Sequence, residues 1–345
     1  MKLVIAEKPS VAMALASVLG ARTRKDGYVE GNGYIVSWCV GHLVGLCDAS
    51  EYDEKYKKWR YEDLPIVPEC WKHKILEGTK KQFGILKKLM RDSKVDEVIC
   101  ATDAGREGEL IFRLVYEMTG CRKPVLRLWI SSMEDSAIRE GFSDLRPGAD
   151  YEALYQSALC RQKADWLVGI NATRLFSVLY HRTLNVGRVQ TPTLALIVNR
   201  QLEIENFKPE AYWELKTVYR DTLFSATKGR FSSVEEGTGF LETVKTADFF
   251  ITEIGTKKGT ESAPRLFDLT SLQVECNKKF GFSADETLKI IQSLYEKKIT
   301  TYPRVDTTYL SDDMYPKIPD ILKGIKDYEL ITKPLLARSE ERRVG

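Results

Sequence analysis

Residues 100–112 read CATDAGREGELIF. An apolar run containing Val95, Val98 and Ile99 ends here, and Asp103, Gly105, Arg106, Glu107, Gly108 and Glu109 follow at once. Leu110 to Met118 then carry the spacing of an amphipathic helix. Charge is expensive at the end of a buried strand, so three acids and an arginine crowded there need a reason.

The surroundings place this stretch. KLVIAE (2–7) reads as a short apolar strand, and SVAMALASVLG (10–20) as a helix with Ser10 at its N-cap and Gly20 at its end. GYIVSWCVGHLVGL (33–46) reads as strands, KKQFGILKKLMRDS (80–93) as an amphipathic helix and VDEVICATD (95–103) as a buried strand. A helix over 106–119 and a strand at VLRLWI (125–130) follow. Strands and helices alternating in this way predict an α/β domain, a mostly parallel, Rossmann-like sheet covered on both faces. Ligands gather at the carboxyl ends of such strands, where Glu7 and Asp103 fall.

The bulk numbers set limits. A chain of 345 residues is long for one core and predicts two or three domains. With 43% apolar and 29% charged residues it has a globular composition, and a net charge of +3 leaves any nucleic-acid binding to local charge. Seven cysteines (39, 47, 70, 100, 121, 160, 276) lack CxxC spacing, which argues against a disulfide framework. Three histidines disfavour a zinc enzyme. No apolar run is long enough for a signal peptide or a bilayer span, so a cytoplasmic protein without a membrane is expected.

Beyond residue 150 the pattern changes. Residues 151–206 read as helical, and within 161–200 six Lys/Arg face one acid, Asp165. Residues 207–262 alternate as a strand pair, with FFITEIGTKKGTES (249–262) as a strand running into a linker. Helices return from Pro264 in TSLQVECNKKFG and SADETLKIIQSLYEKK.

Three stretches carry chemistry, each open to a plainer reading. Glu7, Asp103 and Glu107 suit Mg²⁺, which takes carboxylates plus waters; they suit a solvated loop with acids at a helix N-terminus equally well. Arg161, Arg174 and Arg188, with Gln190, Thr191 and the ring of Trp166, suit a groove for single-stranded nucleic acid or a solvated helix face. Tyr302 precedes a proline and Arg304. A phenol with a pKa of about 10 becomes a nucleophile only where cations such as Arg304 and Lys8 stabilise it. Otherwise it is one of 16 tyrosines, most of them packing residues.

Taken in order, AEKPS, TDAGREGELI, RLWISS, ADWLVGINATR, GRVQTPTL, FGFSADETL and ITTYPRVDTTYL resemble type IA DNA topoisomerases, most closely the bacterial topoisomerase III branch, over Met1 to about residue 336. The resemblance implies an ATP-independent isomerase that breaks, passes and rejoins single-stranded DNA through a 5′-phosphotyrosine, relaxing negative supercoils and decatenating. Consistently, the chain has no GxxxxGK[ST] loop. By position, Tyr302 matches the nucleophile, Arg304 the arginine on the scissile phosphate, and Glu7 and Lys8 the Toprim glutamate and lysine beside the leaving 3′-oxygen. Glu7, Asp103 and Glu107 match Toprim Mg²⁺ ligands. Trp59, Arg161, Trp166, Arg174 and the run Gly187, Arg188, Val189, Gln190, Thr191 and Pro192 match a DNA-contact surface.

The implied architecture is a Toprim domain (1–149), the first segment of a helical DNA-binding domain (150–206), the first segment of a β hinge domain (207–262) and a truncated catalytic-tyrosine domain (263–337), an incomplete type IA toroid. The implied setting is a nucleoid-associated monomer acting on single-stranded, negatively supercoiled or catenated DNA, with a helicase as a further partner. Two departures stand out. The family's second aspartate is Gly105 here, which implies a weaker or single Mg²⁺ site. The chain stops before the family's later segments, and RSEERRVG (338–345), which fits one frame of a library adapter, reads as an artefactual tail. The chain is therefore expected to be an N-terminal part with little relaxation activity alone. A Toprim nuclease or primase-like protein and a non-catalytic single-strand-binding fragment are the alternatives; neither requires TYPR to be reactive.

Overall fold

The computed structural model describes residues 1–130, 132–262, 264–304, 307–310 and 312–337. Ser131 of RLWISS, Asp306 of the TYPRVDTTYL run and the 338–345 tail lie outside the described residues. The described chain divides into two compact units, 1–186 with 264 onward, and 187–263.

In the first unit the strands are β1 (Lys2–Ala6), β2 (Thr23–Lys25), β3 (Tyr28–Gly31), β4 (Tyr34–Trp38), β5 (Val44–Leu46), β6 (His73–Ile75), β7 (Glu97–Ala101), β8 (Val125–Arg127) and β9 (Arg146–Pro147). Among the described residues, seven of them form one sheet in the order β2-β3-β4-β1-β7-β8-β9, and β5 pairs with β6 apart from it. The central strands β4, β1, β7 and β8 are parallel; the edges are antiparallel. The helices are α1 (Pro9–Leu19), α2 (Lys80–Arg91), α3 (Arg106–Thr119), α4 (Asp135–Ser143) and α5 (Glu152–Leu179). In the second unit, α6 (Gln190–Glu205) precedes the hairpin β10 (Trp213–Tyr219) and β11 (Thr222–Phe231) and then α7 (Val234–Lys245). The first unit resumes with α8 (Leu269–Phe280), α9 (Ala284–Glu296), α10 (Ile318–Gly324) and α11 (Glu329–Ala337).

Strand β1 shows why the sheet is buried on both faces. Leu3 and Ile5 enter one core with Phe83 and Leu86 of α2, Phe112 and Leu114 of α3, and Tyr155 of α5. Val4 and Ala6 enter the opposite core with Ala12 and Leu15 of α1, Ile138 of α4 and, from far along the chain, Tyr295 of α9. Each buried Leu or Ile contributes about 1.5–3 kcal/mol over exposure. Register does the rest: Ala6 pairs with Trp38 on one side and Ala101 on the other. Glu7 and Thr102 therefore leave the sheet side by side.

Helix α1 starts two residues earlier than expected from a cap at Ser10. Pro9 occupies its first turn, Lys8 is the N-cap in an extended conformation, and Ser10 lies inside the helix without a capping role. Proline is pre-set for that position, its missing N–H being one the helix cannot satisfy anyway. Gly20 closes the helix at φ 77°, as expected. The strand expected within 249–262 does not form. Phe249 packs instead against Tyr219 and Phe224 of the hairpin, ring centroids 6.0 and 5.2 Å away.

The turn into α3 is held from within. Gly105 is its extended N-cap, and Thr102 Oγ1 donates to Gly108 O at 2.8 Å. Gly108 sits so close to the strand end that a Cβ would lie 2.2 Å from the carbonyl oxygen of Asp103. Gly108→Ala must therefore push Asp103 and the helix apart. It is expected to destabilise the chain by roughly 1–3 kcal/mol, read as a lower urea midpoint at unchanged m-value.

Candidate active site and nucleic-acid interface

Two strand ends and one distant loop converge at the carboxyl edge of the sheet. Glu7 follows β1; its Oε2 accepts the Asp103 backbone N–H at 3.4 Å. Asp103 follows β7, and its Oδ2 accepts the hydroxyl of Tyr302 at 2.6 Å, across 199 residues of sequence. The Tyr302 ring packs edge-on against Tyr295, centroids 5.4 Å apart at 72°, and Pro303 beside it is buried.

The charges are unevenly balanced. Burial first, then the charge of Asp103, raises the Glu7 carboxyl above its usual range; Lys8, the Asp103 N–H and Arg304 oppose the rise. Burial also raises the Tyr302 phenol well above its usual range, followed by its hydrogen bond to Asp103 and the charges of Asp103 and Glu7. Arg304 again opposes. Without a further positive charge the phenol keeps its proton, because a phenolate here would face two carboxylates in a poorly solvated site.

The backbone of Asp103 is fixed by Arg127, a residue of the RLWISS motif to which no role was assigned. The guanidinium of Arg127, in β8, donates to the carbonyls of Cys100 (3.1 Å), Thr102 (2.8 Å), Leu128 (2.8 Å) and Asp103 (2.7 Å). Its Nε lies 3.1 Å from Glu109, both side chains being almost fully buried. Trp129 and Tyr151 cover it, with ring centroids 5.0 and 5.9 Å from the guanidinium carbon. One of the three crowded acids, Glu109, thus serves as the counter-charge of a buried arginine. A basic residue inside VLRLWI was the available signal.

Glu107 goes elsewhere. Expected to join Glu7 and Asp103, its carboxylate is 3.5 Å from His42 Nε2 and 3.8 Å from Arg161 Nη1. Among the described residues no group of three metal-ligating side chains is drawn together. The Glu7–Asp103 pair does fit a hard divalent ion, which takes one or two carboxylates and keeps waters. Two adjacent carboxylates, one pushed up by its neighbour, form a donor set that a cation would relieve.

The expected DNA-contact residues separate. Trp166 is a packing residue rather than a free stacking face: its Nε1 donates to Cys47 O at 3.0 Å, and Tyr52 and Trp71 meet its ring edge-on at 5.7 and 5.4 Å. Arg174 is buried beneath Trp59, its guanidinium carbon 5.4 Å from that ring. Trp59 itself is 43% exposed, and Arg161 is exposed beside Glu107 and Asp165. In the second unit, Arg188, Val189, Gln190, Thr191 and Pro192 are exposed at the start of α6. Gly187 N–H donates to Thr191 Oγ1 at 3.0 Å there. A helix N-terminus with small polar side chains suits phosphate.

Comparison with known proteins gives the family. A Toprim domain model matches residues 2–133, and a DNA topoisomerase family model matches residues 149–344. The chain is 44% identical to DNA topoisomerase 3 of Bacillus thuringiensis (strain Al Hakam), over 97% of this chain and 47% of that protein. It is 43% identical to DNA topoisomerase 3 of Bacillus subtilis (strain 168), over 94% and 45%. The chain thus spans about half the length of the curated relatives it matches. The full-length topoisomerase I from Thermotoga maritima shares the fold, with a TM-score of 0.67 at 24% identity over 94% of this chain and 52% of that one. The chain belongs to the type IA DNA topoisomerase family.

Proposed function

We propose that the chain carries the cleavage chemistry of an ATP-independent topoisomerase that opens and reseals one DNA strand. The contact between Tyr302 and Asp103 supports this most, because a phenol and a Toprim carboxylate distant in sequence meet where a phosphodiester must sit. In the proposed reaction the Tyr302 oxygen attacks the scissile phosphorus, forming the phosphotyrosine ester as the bond to the 3′-oxygen breaks. The phenol proton passes to Asp103. Glu7, which keeps its proton to higher pH than an ordinary glutamate, gives one to the leaving 3′-oxygen. Lys8 and Arg304 neutralise the phosphate. Rejoining reverses each transfer, and since one phosphate ester replaces another, no nucleotide is consumed.

Glu7 and Asp103 are the residues that would hold Mg²⁺, with Glu107 a third donor only on leaving His42 and Arg161. The ion would supply the positive charge this acidic pair lacks. Trp59 and Arg161, with Arg188 to Pro192 of the second unit, are assigned to single-stranded DNA; Arg174 and Trp166 support Trp59 and the strand-edge loops from beneath. Residues 1–149, 150–206, 207–262 and 263–337 are assigned as Toprim, helical, hinge and tyrosine segments. Relaxation and decatenation, action as a monomer, a helicase partner and a nucleoid setting belong to the same proposal. Among the described residues no helix is long and apolar enough to cross a membrane.

The deciding experiment mixes the chain with a labelled single-stranded oligonucleotide and Mg²⁺, then denatures it. A covalent protein–DNA band that is absent from Tyr302→Phe is expected. Cleavage that persists in Tyr302→Phe would mean a nuclease, and salt-dependent binding with no adduct would mean a binding fragment.

Position 105 gives a second test. Gly105 is extended at φ −178°, and a Cβ there meets nothing within 4 Å, so aspartate fits without strain. Gly105→Asp restores the family's second aspartate and is expected to lower the Mg²⁺ concentration for half-maximal adduct formation by about tenfold, the effect of roughly 1.4 kcal/mol of added ion affinity. An unchanged Mg²⁺ requirement contradicts the single-site account.

A further inference from the structure

We infer that Tyr295 is a positioning residue, the seat that presents Tyr302 to Asp103; the inference rests on the assignment of Tyr302 as nucleophile. Tyr295 lies near the end of α9 and is 6% exposed. Its ring is built into the core cluster of the sheet domain with Val4, Leu15, Leu128 and Met133, although nearly 300 residues separate it from β1. Tyr302 packs onto that ring from outside.

Tyr295 also fixes the turn that leads to Tyr302. Its carbonyl accepts the N–H of Lys298 at 2.9 Å, and Lys298 stands in the left-handed region at φ 64°, where the chain leaves the helix. The same lysine pairs with Asp135 at the start of α4. Both partners of that pair are substantially exposed, so it is screened and weak. The aromatic seat is a buried link between the tyrosine loop and the sheet. An edge-to-face ring pair has a preferred geometry, and here it aims the Tyr302 hydroxyl along the sheet edge. A cavity of about 60 Å³, lined by both rings with Val11, Ile130 and Asp103 among others, leaves Tyr302 room to shift if its neighbour is removed.

The test measures adduct formation on a single-stranded oligonucleotide, separating the rate at saturation from the half-saturating concentration. It also measures acetylation of Tyr302 by N-acetylimidazole, with the exposed Tyr61 as internal reference. Tyr295→Phe keeps the ring edge and is expected to retain the wild-type rate and protection. Tyr295→Ala is expected to slow the saturated rate by about ten- to a hundredfold, as misplacing a reacting group does. Its half-saturating concentration should be unchanged, and Tyr302 should be acetylated as readily as Tyr61. Tyr295→Leu preserves apolar bulk in the core and should behave like the alanine variant, separating the ring contact from packing. Wild-type rate and protection in both Tyr295→Ala and Tyr295→Leu overturn the inference. Protection lost on removing the ring, with no adduct from any chain, supports the seat and removes the topoisomerase assignment.

Discussion

A buried guanidinium holds the strand end from which everything else is built. Arg127 binds the carbonyls of Thr102 and Asp103, so the main chain of the acidic turn is fixed while the Asp103 side chain stays available. A buried arginine needs a counter-charge and hydrogen-bond acceptors; Glu109 supplies the charge, and four backbone carbonyls accept from the two terminal nitrogens. Gly108 then lets α3 begin against the same backbone. Asp103 is thereby presented beside Glu7, as the pairing of Ala6 with Ala101 requires.

The resulting site is short of positive charge. Glu7 is pushed up by burial and by Asp103, and Tyr302 is held as a phenol by burial and the same carboxylate. Protein folding alone would not select such a group. Its cost makes sense if a cation and a phosphate, with Lys8 and Arg304, complete the balance when DNA arrives.

Much of this was legible in the sequence, for identifiable reasons. The helix Arg106–Thr119 matches its expected range because its apolar spacing is strong and Gly105 and Gly120 flank it. Glu7 and Asp103 were placed at strand ends because two short apolar runs break into charge. Burial pairings were not legible. Trp166 looked like a stacking face, but nothing local reveals that Cys47, Tyr52 and Trp71 would contact it. Glu107 looked like a ligand by spacing, and only the approach of His42 and Arg161 turns it away. Nothing local marks Tyr295, because its core partners, from Val4 to Ile138, lie far earlier in the chain. Position in a motif gave chemistry; only tertiary contacts gave orientation.

The claim beneath all of this is that the Tyr302 hydroxyl rests on the Asp103 carboxylate at the sheet edge. Tyrosine labelled at ¹³Cζ, with Tyr302→Phe used to assign the signal, reports ionisation of that phenol directly. The account predicts that Tyr302 stays protonated well past the ordinary phenol value of about 10, and that Asp103→Asn moves its ionisation down without fully normalising it, since burial remains the larger cause. A Tyr302 that ionises near 10 and ignores Asp103→Asn would contradict it.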